Sequence, residues 1–320
     1  MTPPRHDPLE RAFARHDRAA IHFHDNRLAL AEREARRAYV ALRACLGPRD
    51  PNVAGAAQTL GAILLARNKL VEAAAVARAA MAGLRALPTG DEDVEVLRLR
   101  CAGLAAATLR DRGQYAAAIA AFHRALVVAR RRLGRDHVEV AQHELALGAT
   151  LKFAGRLRAA EAVYRHAHVV LARAFGEGAP ELAPLYHNLG GLAHARGRHT
   201  EAEPWAQRAL AIVETARGAR ALPTAIELAA LAPILDGRGK FAEAERAHRR
   251  ALAILRRVHR RPHYDIALGL ANLGAHHAQR DRPALATRTL RRALAMMVTV
   301  VGPRHPDVAL IRHNLAAVAG

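Results

Sequence analysis

Apolar and small residues recur along this chain at helical spacing, most clearly between Pro180 and Arg220. Leu182, Leu185, Leu189, Leu192 and Ala193 follow intervals of three and four, so they share one face of an amphipathic helix. Arg196-Gly197-Arg198 interrupts the stripe. A second one follows, built from Ala202, Trp205, Ala206, Ala209, Leu210, Ile212 and Val213. The pattern predicts two antiparallel helices joined by a tight turn.

This unit repeats. Alanines seven residues apart recur as Ala31/Ala38, Ala73/Ala80, Ala118/Ala125, Ala160/Ala167, Ala202/Ala209, Ala244/Ala251 and Ala286/Ala293. The step is 42 residues throughout, except for 45 between Ala73 and Ala118. A period of this size predicts a solenoid, in which each unit packs on its neighbours. Asn26, Asn68, Gly113, Gly155, Gly197, Gly239 and Asp281 stand at one phase, and all are types that tolerate the left-handed backbone ending a helix. Seven residues before each turn lies Ala19, Gly61, Ala106, Gly148, Gly190, Ala232 or Gly274. Small side chains there and at the paired alanines let helix axes approach to the short end of the ~8–10 Å range.

Between units runs a second loop, as in Leu46-Gly-Pro-Arg-Asp-Pro and Val301-Gly-Pro-Arg-His-Pro, with Gly closing one helix and Pro opening the next. Its weakest copies are Leu87 to Glu95 and Arg217 to Ala225. The expected organisation is a disordered arm over residues 1–7 and one repeat domain over 8–320. Its units are 8–47, 48–90, 91–134, 135–176, 177–218, 219–260 and 261–302, with a capping helix over 305–319. Pro233 lies inside a first helix, which it should kink or shorten.

Composition changes the picture in two ways. The chain is 51% apolar but only 4% aromatic, which suits closely packed helices. It also carries 49 Lys and Arg against 29 Asp and Glu, a formal charge of +20. Only Lys69, Lys152 and Lys240 are lysines. This excess supports non-specific attraction to polyanions and nothing narrower. Cys45 and Cys101 belong to different repeats, so no disulfide framework is expected and a reducing compartment is favoured. The N-terminus lacks the apolar core of a signal peptide. The apolar stretch from Val53 to Ala66 falls short of the roughly 20 residues that span a bilayer. These features predict a soluble cytoplasmic protein with no membrane partner.

A Leu-Gly pair in the first helix with paired alanines in the second resembles the tetratricopeptide repeat. The 42-residue period and phrases such as Gly302-Pro-Arg-His-Pro-Asp-Val-Ala309, followed by Asn314-Leu315, are similar to its kinesin-light-chain type. The large aromatic that such repeats often place midway between the alanines is present as Phe122 and Tyr164 but replaced by Ala35, Ala77, Ala206, His248 and Leu290. The resemblance implies an all-α, right-handed superhelical solenoid of seven helical pairs plus the terminal helix. Its concave wall of first helices would bind an extended or short helical segment of a partner protein, the chain serving as a scaffold or, alternatively, as a sensor or regulator that changes superhelical pitch when a small peptide occupies the groove. By phase that wall includes Asn188, Asn272 and Asn314, whose amides both donate and accept and so suit a peptide main chain. The same amides could instead bond only the neighbouring first helix or cap something local. The matching positions elsewhere are not Asn, which makes the C-terminal half the better candidate groove. His187, His194, Arg100, Arg110, Gln142, Lys152, Gln279 and His313 share the phase, and the basic ones would favour an acidic segment.

Most arginines fall on second helices and the loops after them, including Arg130-Arg131-Arg132, Arg256-Arg257 and Arg260-Arg261. They read either as a solvated face whose stems cover apolar surface or as a surface for nucleic acid or another polyanion. Aromatics interleaved with the basic residues, which single-strand stacking needs, are lacking. No P-loop, Gly-x-Gly-x-x-Gly, His-Glu-x-x-His or Gly-x-Ser-x-Gly occurs, so no enzyme and no cofactor is expected. Among the histidines, His22/His24 and His166/His168 are two apart on a helix and diverge. His187 and His194 share a face but lie about 10 Å apart. The nineteen histidines therefore read as scattered surface or groove residues, with no metal site.

Overall fold

The computed structural model describes residues 7–319, so residues 1–6 of the expected arm lie outside the described residues. Asp7 is described, and its carboxylate caps the first helix by accepting from the Leu9 N–H at 3.0 Å. Among the described residues the fold is all-α. The pairs are α1 (Pro8–His24) with α2 (Leu28–Leu46), α3 (Pro51–Ala66) with α4 (Leu70–Leu84), and α5 (Glu92–Asp111) with α6 (Tyr115–Arg132). Then come α7 (Val138–Phe153) with α8 (Leu157–Phe175), α9 (Ala183–Ala195) with α10 (His199–Arg217), and α11 (Leu222–Gly237) with α12 (Phe241–Val258). The last pair is α13 (Tyr264–Gln279) with α14 (Pro283–Val301), and α15 (Pro306–Ala319) follows alone. The helices fall into two compact units divided between Ala174 and Phe175, close to the end of the fourth repeat.

The turns have the mechanical cause that the sequence suggests. Asn26, Asn68 and Asp281 adopt φ of 56°, 58° and 52°, and Gly113, Gly155, Gly197 and Gly239 lie between 71° and 75°. The loops between repeats use a second set of left-handed residues, among them Gly90 and Gly218 in the two copies that read weakest. Only the loop before α13 runs without such a glycine, through Arg260-Arg261-Pro262. The residue ahead of a first helix caps it: Asp50 and Asp91 by carboxylate, His137 and His263 through Nδ1, each accepting a backbone N–H. A share of the histidines is thereby assigned to structure.

All the paired alanines are buried except Ala125, which is partly exposed. The small residue of each first helix is buried as well, and the structure shows what it accommodates. A Cβ on Gly148 would sit 2.3 Å from the Tyr164 ring, one on Gly274 2.7 Å from Leu290, and one on Gly190 3.2 Å from the backbone of Ala206. The residue midway between the alanines therefore rests on the glycine of its partner helix. Bulk on α8 or α14 is matched by its absence on α7 or α13.

Pro233 does not shorten its helix. α11 runs through it for 16 residues, the same length as α3, α7 and α13. Leu231, Ala232, Ile234 and Leu235 on either side are buried in a core continuous from Ala193 to Ile311, and that packing outweighs the roughly 3 kcal/mol an interior proline costs. α15 contributes Val308 and Ile311 to this core.

Candidate functional site

In the first unit the first helices α1, α3, α5 and α7 stand side by side. They line an open concavity of about 690 Å³. Phe23 of α1, Leu65 of α3 and Leu104 of α5 give it an apolar floor, and Gln58, Gln142 and His143 add polar groups. Arg100, Arg110 and Gln142 are thus brought to one surface, whereas Lys152 is not among its lining residues.

The charges here are already engaged. Arg100 donates through Nε and Nη2 to both carboxylate oxygens of Glu139, a fork that raises its pKa further. Arg110 donates to Asp111 at 2.7 Å. Burial lowers the pKa of Lys152, whose ammonium lies 5.9 Å from the Phe153 ring centre. It does the same for His143, which bonds the Glu139 carbonyl through Nδ1 at 2.9 Å.

The second unit holds smaller hollows. One of about 460 Å³ is lined by His194, His199, Asp236, His248, Asn272 and His276 among others. Another, of about 300 Å³, is lined by Asn314 and Gln279. Asn188 donates to the Pro184 carbonyl one turn back on its own helix at 2.8 Å. His187 pairs with Glu227 on the next first helix at 3.0 Å. His194 Nδ1 lies 3.2 Å from His199 Nδ1, and burial followed by that neighbour lowers its pKa.

A set of residues that the sequence reading passed over ties repeat to repeat. Glu32, Glu203 and Glu245 each follow the first alanine of a pair. Buried Glu32 on α2 accepts from Arg67 at 2.6 Å and Lys69 at 2.7 Å, the residues flanking the Asn68 turn of the next repeat. Glu203 holds Arg238 and Lys240 around the Gly239 turn, and Glu245 holds Arg282 beside Asp281. Burial alone would raise the Glu32 pKa, but hydrogen bonds from Lys69 and Arg36 bring it below the usual carboxylate value. The signal was available once the copies were aligned, as carboxylates after Ala31, Ala202 and Ala244 with basic residues around the next turn.

One constellation stands outside these patterns. Asp236, His248 and His276 bring one ligand atom each to within 4.8 Å of one another. A more exposed group, His259, His263 and Asp265, surrounds the glycine-free loop, with the two imidazoles stacked 3.6 Å apart.

Models of the tetratricopeptide repeat match residues 99–168, 181–257 and 267–307. No curated protein matches the chain. Among solved structures, BtubC (BKLC) from P. vanneervenii is 22% identical, with a TM-score of 0.56, covering 77% of this chain and 90% of its own. Aspartyl phosphate phosphatase F from Bacillus subtilis is 14% identical, with a TM-score of 0.65, covering 92% and 72%. The Rap conjugation gene regulator of plasmid pLS20, solved with the Phr* peptide, is 13% identical, with a TM-score of 0.63, covering 93% and 74%. At these identities the likeness speaks for the fold alone.

Proposed function

Because the chain belongs to the tetratricopeptide repeat family, we propose that it is a non-enzymatic protein-interaction scaffold that takes an extended or short helical segment of a partner into its concave wall. The observation carrying this reading is the concavity of about 690 Å³ lined by α1, α3, α5 and α7. Four helices from consecutive repeats present it preformed, so the ordering cost falls mainly on the bound segment. Gln58 and Gln142 can each donate to and accept from a main chain. Phe23, Leu65 and Leu104 can take apolar side chains. An acidic side chain would share Arg100 with Glu139 and Arg110 with Asp111, so the segment combines apolar anchors with few acids. In the second unit a separate, smaller hollow carries Asn272 and His194. The free thiols Cys45 and Cys101 accord with a cytoplasmic setting. No described helix is long and apolar enough to cross a membrane.

Peptides selected from a random displayed library on the wild-type chain would be remeasured by fluorescence polarisation. Gln58→Ala with Gln142→Ala should weaken them about tenfold or more, the scale of two lost buried hydrogen bonds. Affinities unchanged by that variant and by Asn188→Ala with Asn272→Ala would remove the groove from the reading.

A second reading rests on Arg256, Arg257, Arg260 and Arg261. All four are exposed, and none has an ion pair among the described residues, unlike Arg130 and Arg250, which pair with Glu144 and Glu214. This cluster suits a polyanion. Filter binding to single-stranded RNA should then fall steeply with salt and be lost on Arg256→Glu with Arg257→Glu.

A further inference from the structure

In the aligned repeats, His248 occupies the position held by Phe122, Tyr164 and Leu290, and His276 the position held by Ile63, Leu192 and Ile234. Both are core positions, and both imidazoles are buried, at 5% and 3% exposure. An imidazole replacing a buried apolar side chain costs free energy unless its nitrogens find partners. Here they converge on one carboxylate. His276 Nδ1 is 2.8 Å from Asp236 Oδ1, and His248 Nε2 is 3.9 Å from Asp236 Oδ2.

We propose that Asp236, His248 and His276 form a binding site for a divalent transition-metal ion of the zinc class, joining α11 and α12 of the sixth repeat to α13 of the seventh. Two imidazoles and one carboxylate are the donor set such ions take, with a further position left for water or an outside ligand. With bonds of about 2.0–2.2 Å, tetrahedral ligand atoms lie a little over 3 Å apart. The three atoms here, all within 4.8 Å, reach that arrangement by small side-chain rotations. A neutral His276 would offer the metal an unprotonated Nδ1 with its single ring proton on Nε2, a tautomer exchange through solvent that leaves the imidazole neutral. The 460 Å³ hollow that all three residues line is the entry path, and His194 and His199 stand at the same hollow.

The test uses the untagged full chain stripped with EDTA and titrated with CoCl2, then with ZnCl2 in competition. One equivalent of Co2+ per chain with the intense visible bands of four-coordination is expected, displaced by Zn2+, together with a rise in thermal midpoint. Asp236→Asn and His276→Gln should each weaken binding by more than the roughly 10–100-fold that loss of an outer-sphere partner costs. His263→Ala, in the other cluster, should leave it unchanged. A pale, fully hydrated Co2+ spectrum with the wild-type chain overturns the proposal without recourse to any variant. So does retention of the bands in both ligand variants, or their loss in His263→Ala alone.

Discussion

Adding a single methyl group at Gly148 tests the packing argument at its tightest point. A helix-interior Gly→Ala change ordinarily stabilises by about 1 kcal/mol. Here the new Cβ would lie 2.3 Å from Tyr164 Cε1 and 2.7 Å from Cδ1, both well inside the 3.4 Å at which ordinary contact begins. Tyr164 is fully buried between α7 and α8 and has no solvent side into which to swing. The two helices must therefore separate, at an overpacking cost of about 1–3 kcal/mol or more that exceeds the propensity gain. Gly148→Ala should thus destabilise by about 1–2 kcal/mol, read from urea unfolding followed by far-UV circular dichroism. In a Tyr164→Leu background the obstructing ring is gone, and the same change should turn neutral or stabilising. The double-mutant cycle then yields a coupling of about 1.5 kcal/mol or more. Effects of one sign that add to within about 0.5 kcal/mol would refute the account of matched bulk and absence.

Three further outcomes follow from the same geometry. Ala160→Leu or Ala209→Leu, at fully buried positions, should cost about 1–3 kcal/mol by overpacking, and unchanged midpoints in both would contradict the register. A thiol reagent should label the exposed Cys45 quickly and the buried Cys101, whose pKa burial raises to about 12, only on unfolding; two fast equivalents would contradict that burial. Burial depresses the pKa of His143 in the folded chain, so below the ordinary value of about 6.5 the unfolded chain binds the extra proton. Its contribution is present above that pH and lost on acidification, by at most about 1.4 kcal/mol per pH unit; His143→Gln should flatten the fall in urea midpoint between about pH 7 and about pH 5.5, and an unaltered slope would exclude this residue.

Local rules made the architecture readable in advance. A turn that needs φ near 50–75° selects Asn, Asp or Gly, and a close helix crossing selects Gly or Ala, so each constraint leaves its mark at a fixed phase. Pro233 leaves α11 at full length because its penalty is local whereas the packing of Leu231 and Ile234 that outweighs it is tertiary. The groove residues were only partly legible. Phase alone brings Arg100, Arg110 and Gln142 to one wall, but it does not disclose that Glu139, on the neighbouring first helix, holds Arg100. Nor does phase disclose that Asn188 bonds back to Pro184. His248 and His276 are not legible as a pair along any single helix, because they meet across a repeat boundary 28 residues apart.

The carboxylates that hold the following repeat's turn bear on how such a chain can change over generations. Glu203 and Glu245 stand 42 residues apart, so excising residues 219–260 would present Arg282 with Glu203 in place of Glu245. The new junction would inherit a complementary charge without any compensating substitution. Whole periods can therefore be lost or duplicated by unequal recombination with their joints intact, whereas a deletion out of step would strand a carboxylate among apolar neighbours and be purged.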